Sequence, residues 1–261
     1  MLILFTGVSP TTRKPREMAI FCGNAPSSLG HHPLMYASQT GHVETVLEMM
    51  PFAKLEDLEQ ALGWSARAGH FQLVTALLEN SKVSPDASYE GESVLMLAAA
   101  SLEPKCVRVL LDKGASVEKV SRHLANAPGL AHHAHHVKPD GRTPLHSLAT
   151  ISLNSTTESG ARNIMEMLLS AGADLEAVDS QGNTPLLLTI DNQFTASDKH
   201  NMLDMLLSVG ANLCAMDSKG ETLLHRACKT MSNTKRAGQL LTHKALTRQA
   251  RSSDGATPLH W

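Results

Sequence analysis

Histidine and cysteine are the residues whose types and spacing hold the most chemical promise in this chain. Four histidines fill the stretch His132-His133-Ala134-His135-His136. On a short helix His132, His135 and His136 would face one way, and imidazoles at that spacing bind zinc. The flank Ala125 to Leu130 brings no carboxylate and no thiol to complete a metal shell. The expected reading is therefore a solvent-exposed polar insertion with no resident metal. His146, His225 and His260 are different: each closes a Thr-Pro-Leu-His or Thr-Leu-Leu-His tetrapeptide. Recurrence of one residue in one slot points to architecture, and no single copy supplies an oriented Ser or Cys nucleophile. The cysteines Cys22, Cys106, Cys214 and Cys228 stand far apart with no CxxC pair, which fits neither a disulfide framework nor a thiolate zinc site. Cys106 and Cys228 fall in apolar helix slots, where an inert buried thiol is expected. No phosphate-binding loop, dinucleotide fingerprint or HExxH is present. Glu44, Glu48, Glu56, Asp57 and Glu59 read as solvated helix faces. No catalytic, cofactor-binding or metal residue is expected.

The elements that carry these residues follow from composition and period. The chain has 261 residues and a formal charge of −2. That charge gives no field to hold nucleic acid or an anionic membrane. An apolar share of 42% argues against global disorder, and 3% aromatics favours helices packed with Leu, Ala and Met over a large β-sandwich. No apolar run reaches the roughly 18–20 residues of a membrane helix. Met1-Leu-Ile-Leu-Phe5 is too short and lacks the basic lead of a secretory signal. With unpaired cysteines this predicts an intracellular protein, cytoplasmic or nuclear, in which the Asn154-Ser-Thr sequon has no meaning.

Five segments align on a glycine: Glu90-Gly-Glu-Ser-Val-Leu95, Asp140-Gly-Arg-Thr-Pro-Leu-His146, Gln181-Gly-Asn-Thr-Pro-Leu186, Lys219-Gly-Glu-Thr-Leu-Leu-His225 and Asp254-Gly-Ala-Thr-Pro-Leu-His260. The glycine spacings of 50, 41, 38 and 35 fit one unit of 33 residues with insertions of 17, 8, 5 and 2. Two earlier units follow the same order. Gly30-His-His-Pro-Leu34 leads to Gly41-His42, and Leu62-Gly-Trp-Ser-Ala66 leads to Gly69-His70.

Thr-Pro-Leu-His, Gly-His and Leu-Leu-x-x-Gly-Ala at this period resemble the ankyrin repeat, over about residues 27–261. The resemblance implies an all-α fold, an ankyrin-repeat α-solenoid with a helix–turn–helix and a β-hairpin-like finger per unit. It divides the chain into an N-terminal extension 1–26 and units 27–54, 55–87, 88–137, 138–178, 179–216 and 217–251, with a partial unit 252–261. By register the extra residues of the third unit form a finger insertion at 121–137. Those of the fourth and fifth fall between the paired helices, within Ser152–Arg162 and Gln193–His200. The polar run Asn154 to Gly160 is expected to be a solvated loop.

Physical reasoning from the residues agrees with the resemblance. Thr143, Thr184 and Thr257 stand where a helix begins, and Pro144, Pro185 and Pro258 take the first helical position. Gly41 and Gly69 suit the end of a first helix, and Gly114, Gly172 and Gly210 the end of a second. One such unit cannot bury its own apolar face, so stability must come from neighbouring interfaces. The basic run Thr11-Thr-Arg-Lys-Pro-Arg16 reads as a tail, and Met18-Ala-Ile-Phe-Cys22 as a partial cap over the first unit. The last unit stops four residues into a helix at Trp261. That is too short to hold alone, so 252–261 is expected to fray. The sequence reads as a piece of a longer protein or a shortened gene product.

What the resemblance implies for function is a non-catalytic scaffold that binds other proteins through a concave finger-and-helix surface. The corresponding positions are Tyr89, Glu90, Glu92, Asp140, Arg142, Ile151, Gln181, Asn183, Asp191, Asn192, Lys219, Glu221 and Lys229, with Arg67, Gln39, Thr150 and Thr230 beside them. Tyr89 and Arg142 are the expected anchors, since Tyr and Arg are enriched at interface hot spots. The alternative is the recognition segment of a larger enzyme or adaptor whose catalytic part lies outside these residues. No cofactor, nucleic acid or membrane segment is expected.

Overall fold

A computed structural model describes residues 32–120, 140–191, 202–229 and residue 255. The helices follow from apolar side chains spaced three and four apart. In chain order they are α1 (Pro33–Thr40), α2 (Val43–Met49), α3 (Leu55–Arg67), α4 (Phe71–Asn80), α5 (Val94–Ala100) and α6 (Pro104–Asp112). They continue with α7 (Pro144–Ala149), α8 (Glu158–Ser170), α9 (Pro185–Asp191), α10 (Met202–Ser208) and α11 (Leu223–Lys229). The starts carry the expected chemistry. Pro33, Pro104, Pro144 and Pro185 each open a helix, and Ser93 accepts the Met96 N–H at 3.2 Å to cap α5.

These helices stack as pairs. The first members α1, α3, α5, α7, α9 and α11 pack in succession, and the second members α2, α4, α6 and α8 form a parallel row behind them. A continuous apolar layer runs between the rows from Leu34 to Ala227. Its fully buried members include Leu62, Leu73, Leu97, Leu110, Leu148, Ile164 and Leu168, contributed by successive pairs. Each stabilises by roughly 1.5–3 kcal/mol, and only because the next pair covers it. Glycines at left-handed φ close both members of a pair, as Gly41 (φ 77°) and Gly114 (φ 86°) do. After α5 the equivalent position is Leu102, at φ 57°.

One hairpin forms as expected. β1 (Ser88–Tyr89) pairs antiparallel with β2 (Glu92–Ser93), and Glu90 and Gly91 between them both have positive φ, as a type I′ turn requires. The fingers at 179–183 and 217–221 turn over one residue more: the Asp179 N–H donates to the Asn183 carbonyl at 2.9 Å, and the Asp217 N–H to the Glu221 carbonyl at 3.1 Å. Neighbouring fingers are joined by backbone, Ser180 N–H to Asp140 carbonyl at 2.8 Å and Ser218 N–H to Gln181 carbonyl at 3.0 Å.

Two expectations are corrected. A finger per unit does not hold between α2 and α3, where a 3₁₀ turn at Met50–Phe52 leads directly into a 13-residue helix. No glycine stands between Met49 and Leu62 to turn a hairpin there, while Glu56 and Asp57 favour a helix start and Leu58 is buried. The polar run Asn154–Gly160 is only half a loop. Asn154 Oδ1 accepts the N–H groups of Thr156 and Thr157, and α8 begins at Glu158. A side chain at Gly160 would meet the Leu102 carbonyl at 3.0 Å, so the small residue lets α8 lie against the preceding pair. The expected finger insertion 121–137, the loop Gln193–His200, the cap Met18–Cys22 and the last unit 252–261 lie outside the described residues, apart from Gly255.

Candidate interaction surface

The repeated histidine works as a clasp. His146 is fully buried in α7. Its Nδ1 accepts the Thr143 backbone N–H at 3.1 Å and lies 2.9 Å from the Thr143 hydroxyl, while its Nε2 donates to the Asn183 carbonyl at 2.9 Å. An Nδ1 that accepts a backbone N–H carries no proton of its own, so the ring is neutral with its hydrogen on Nε2. Burial pushes the His146 pKa below its ordinary value, against the opposing pull of the Asn183 carbonyl and Asp179. His225 repeats the local part in α11, with Nδ1 3.2 Å from the Thr222 N–H. In the pair between them Leu187 takes the slot. There Arg226 links the units instead: its Nη2 bonds to Asn183 Oδ1 and, at 2.7 Å, to Asp217 Oδ2.

With His146 and His225 buried, the polar side chains gather at the finger tips. Asp179 and Asp217 organise it from inside. Asp179 Oδ1 accepts the N–H groups of Gln181 and Asn183 at 2.8 Å each, and Asp217 Oδ1 those of Lys219 and Glu221 at 2.8 and 2.9 Å. Burial acts to raise the Asp217 carboxyl, but Arg226 and the two N–H donors outweigh it and hold the pKa below the ordinary value. Arg142 Nε lies 3.9 Å from Asp140 and 4.0 Å from Asp179. Arg67 at the end of α3 pairs with Glu90 at 2.9 Å, and Lys229 pairs with Glu221. The result is a band of alternating charge along the fingers and the ends of the first helices.

The expected site residues divide in three. Glu90, Gln181, Lys219 and Lys229 are exposed, and Glu92, Asp140, Arg142 and Ile151 are partly buried. Tyr89, Asn183 and Glu221 are buried at 4%, 1% and 9% exposure, which corrects their placement as outward-pointing side chains. The Tyr89 ring packs on Trp64 with centroids 5.4 Å apart, and its hydroxyl donates to Glu90 at 2.9 Å. A side chain at Gly63 would come within 2.4 Å of Tyr89 Cβ, so Tyr89 is wedged against α3. Asn183 faces inward because Asp179 and Arg226 hold it. Glu221 is folded over by Lys229. Asp191 is the last residue of α9, and Asn192 and Thr230 lie outside the described residues.

Sequence reasoning missed Asp179, Asp217, Arg226 and Trp64. A signal existed for the first two, since each stands three residues before a finger glycine (Gly182, Gly220). Arg226 and Trp64 belong to helix positions that vary from unit to unit, and only the fold shows what they touch.

The other chemical candidates behave as inert groups. Cys106 is fully buried and its thiol is pushed up to about 12, chiefly by desolvation. Cys228 is partly buried and its thiol is also raised by burial. Among the described residues no group of three or more His, Cys, Asp or Glu could hold a metal ion, and the cluster His132–His136 lies outside them. No helix of the described residues is long and apolar enough to cross a membrane.

Paired helices in two rows, joined by short fingers and by the buried His146 clasp, define an α-solenoid of stacked repeats. Comparison with known proteins gives the class its name. A family model described as "Ankyrin repeats (3 copies)" matches residues 34–121, and one described as "Ankyrin repeat" matches residues 140–180. The crystal structure of the human ASB11 ankyrin repeat domain superposes with a TM-score of 0.64, at 22% identity, covering 88% of this chain and 90% of that one. This chain belongs to the ankyrin-repeat family. It is also 32% identical over 145 residues to the E3 ubiquitin-protein ligase KEG of Arabidopsis thaliana. That match covers 55% of this chain and 7% of the ligase's length.

Proposed function

We propose that this chain is a non-catalytic binding module whose partner is another protein, held on the concave side formed by the fingers and the first helices. Ankyrin repeats mark a protein–protein interaction module, and the preorganised finger row is the observation that carries the choice of face. Backbone bonds between fingers, the Asp179 and Asp217 turns and the Arg226 crosslink fix exposed Gln181 and Lys219 before any partner arrives, and the β1–β2 hairpin with Arg67 fixes Glu90. A surface ordered in advance loses little entropy on binding. The test is capture from lysate by the full chain, compared with a Gln181→Arg, Lys219→Glu variant. The same captured proteins should be lost from the variant, with at least about tenfold weaker binding and an unchanged unfolding midpoint. Equal capture by both would remove this face from the account.

A second reading is favoured by the similarity to a ligase of which the matched stretch is a small part. On that reading these repeats choose the target for chemistry carried out elsewhere in a longer chain. Both readings assign the same task to the residues described here.

A further inference from the structure

Among the described residues four side chains follow a finger glycine: Glu92, Arg142, Asn183 and Glu221. Three are matched inside the protein. Arg142 lies beside Asp140 and Asp179, Asn183 is held by Asp179 and Arg226, and Glu221 takes Lys229. Glu92 differs. Glu92 is partly buried, opposite Tyr89 in the β1–β2 hairpin, yet among the described residues it accepts no hydrogen bond and forms no ion pair. Its charged neighbours are Arg67, Glu90, Arg142 and Asp140. Neither arginine turns to it, since Arg67 is bonded to Glu90 at 2.9 Å and Arg142 leans on Asp140 and Asp179. A partly desolvated carboxylate that accepts no hydrogen bond is costly in the free protein. A cation brought by a partner would relieve that cost.

We propose that Glu92 is the receptor for a cationic side chain, an arginine above all, on a partner segment lying along the finger row. The inference rests on the concave-face reading and adds the chemistry of the partner. Arginine is favoured over lysine by geometry. A planar fork can engage Glu92 while donating sideways to Glu90 or Asp140, which keep acceptor capacity beyond their own arginines. Burial raises the Glu92 carboxyl above its ordinary value, with Arg67 and Arg142 opposing and Glu90 and Asp140 adding to the rise, which agrees with an uncompensated charge.

The experiment is a selection of random 12-residue peptides on the full chain, repeated on Glu92→Gln. Glutamine keeps the shape and removes the charge, so the variant should fold with an unfolding midpoint at pH 7 equal to or above that of the parent. Selected peptides are expected to be enriched in arginine and to bind Glu92→Gln at least about tenfold more weakly, as loss of a hydrogen-bonded charge pair would require. Peptides that need exposed Gln181 and Lys219 but carry no basic enrichment, and bind Glu92→Gln equally well, would overturn the inference and leave the concave-face reading standing. Peptides indifferent to Gln181, Lys219 and Glu92, or a library yielding no binder, would count against both. A midpoint lowered in Glu92→Gln would show that the carboxylate has a structural partner, and would also overturn the inference.

Discussion

The Nε2 of His146 lies 2.9 Å from the carbonyl oxygen of Asn183, 37 residues further along the chain. This bond joins the start of one helix pair to the finger of the next. Replacing His146 with Leu fills the space but leaves the Thr143 N–H and the Asn183 carbonyl without this partner. The expected cost is roughly 1–3 kcal/mol in urea unfolding. An unchanged midpoint would show the clasp to be idle.

The same histidine predicts a pH dependence. Its folded-state pKa is lowered by burial, so between the ordinary histidine value and the lowered one the unfolded chain binds the extra proton. Stability should fall as pH drops through that window and level off below it. His146→Gln should flatten this part of the profile. Asp217 adds a second, more acidic fall, because its pKa is depressed. Its contribution is present above the unfolded carboxylate value and is lost as pH falls through the folded one.

Tyr89 and Gly63 test the wedge at α3. In an open helix Gly→Ala stabilises by about 1 kcal/mol. Here the new methyl would meet Tyr89 Cβ, close to the backbone, rather than a flexible tip. Gly63→Ala should therefore destabilise by about 1–3 kcal/mol, the usual cost of overpacking. Tyr89→Ala should cost roughly 3–5 kcal/mol, as large buried aromatics do. A Tyr89→Ala variant with an unchanged midpoint would restore Tyr89 as a surface residue.

Thiol chemistry separates the cysteines. Cys214 is exposed, whereas Cys106 is buried with a raised pKa. An aromatic disulfide reagent at neutral pH should modify Cys214 in the folded protein and reach Cys106 only when the chain unfolds. Prompt modification of Cys106 would contradict its place in the core.

The repeat, its caps and its closing glycines were legible in the sequence because each rests on a local rule. Thr143-Pro144 at a helix start and Gly41 after one need no knowledge of the neighbours. The missing finger before α3 is not legible from the repeat period. A glycine-free stretch falls where the repeat register calls for a turn, and there the local residues outweigh the period. The interaction surface was legible by register but not by burial. Register alone made Tyr89, Asn183 and Glu221 outward, yet each has a partner supplied from elsewhere in the fold: Trp64, Arg226 and Lys229. Pairings over such distances do not show in a repeat pattern.

The central claim is that the finger side is where a partner sits. It is tested most directly by a photo-crosslinking residue placed singly at Gln181 and Lys219 on the fingers, and at Arg108 and Glu166 on the exposed outer face of α6 and α8. All four variants should keep the parent's unfolding midpoint. Crosslinks to a common protein from positions 181 and 219, and none from 108 and 166, are the predicted result. Crosslinks confined to 108 and 166 would contradict it.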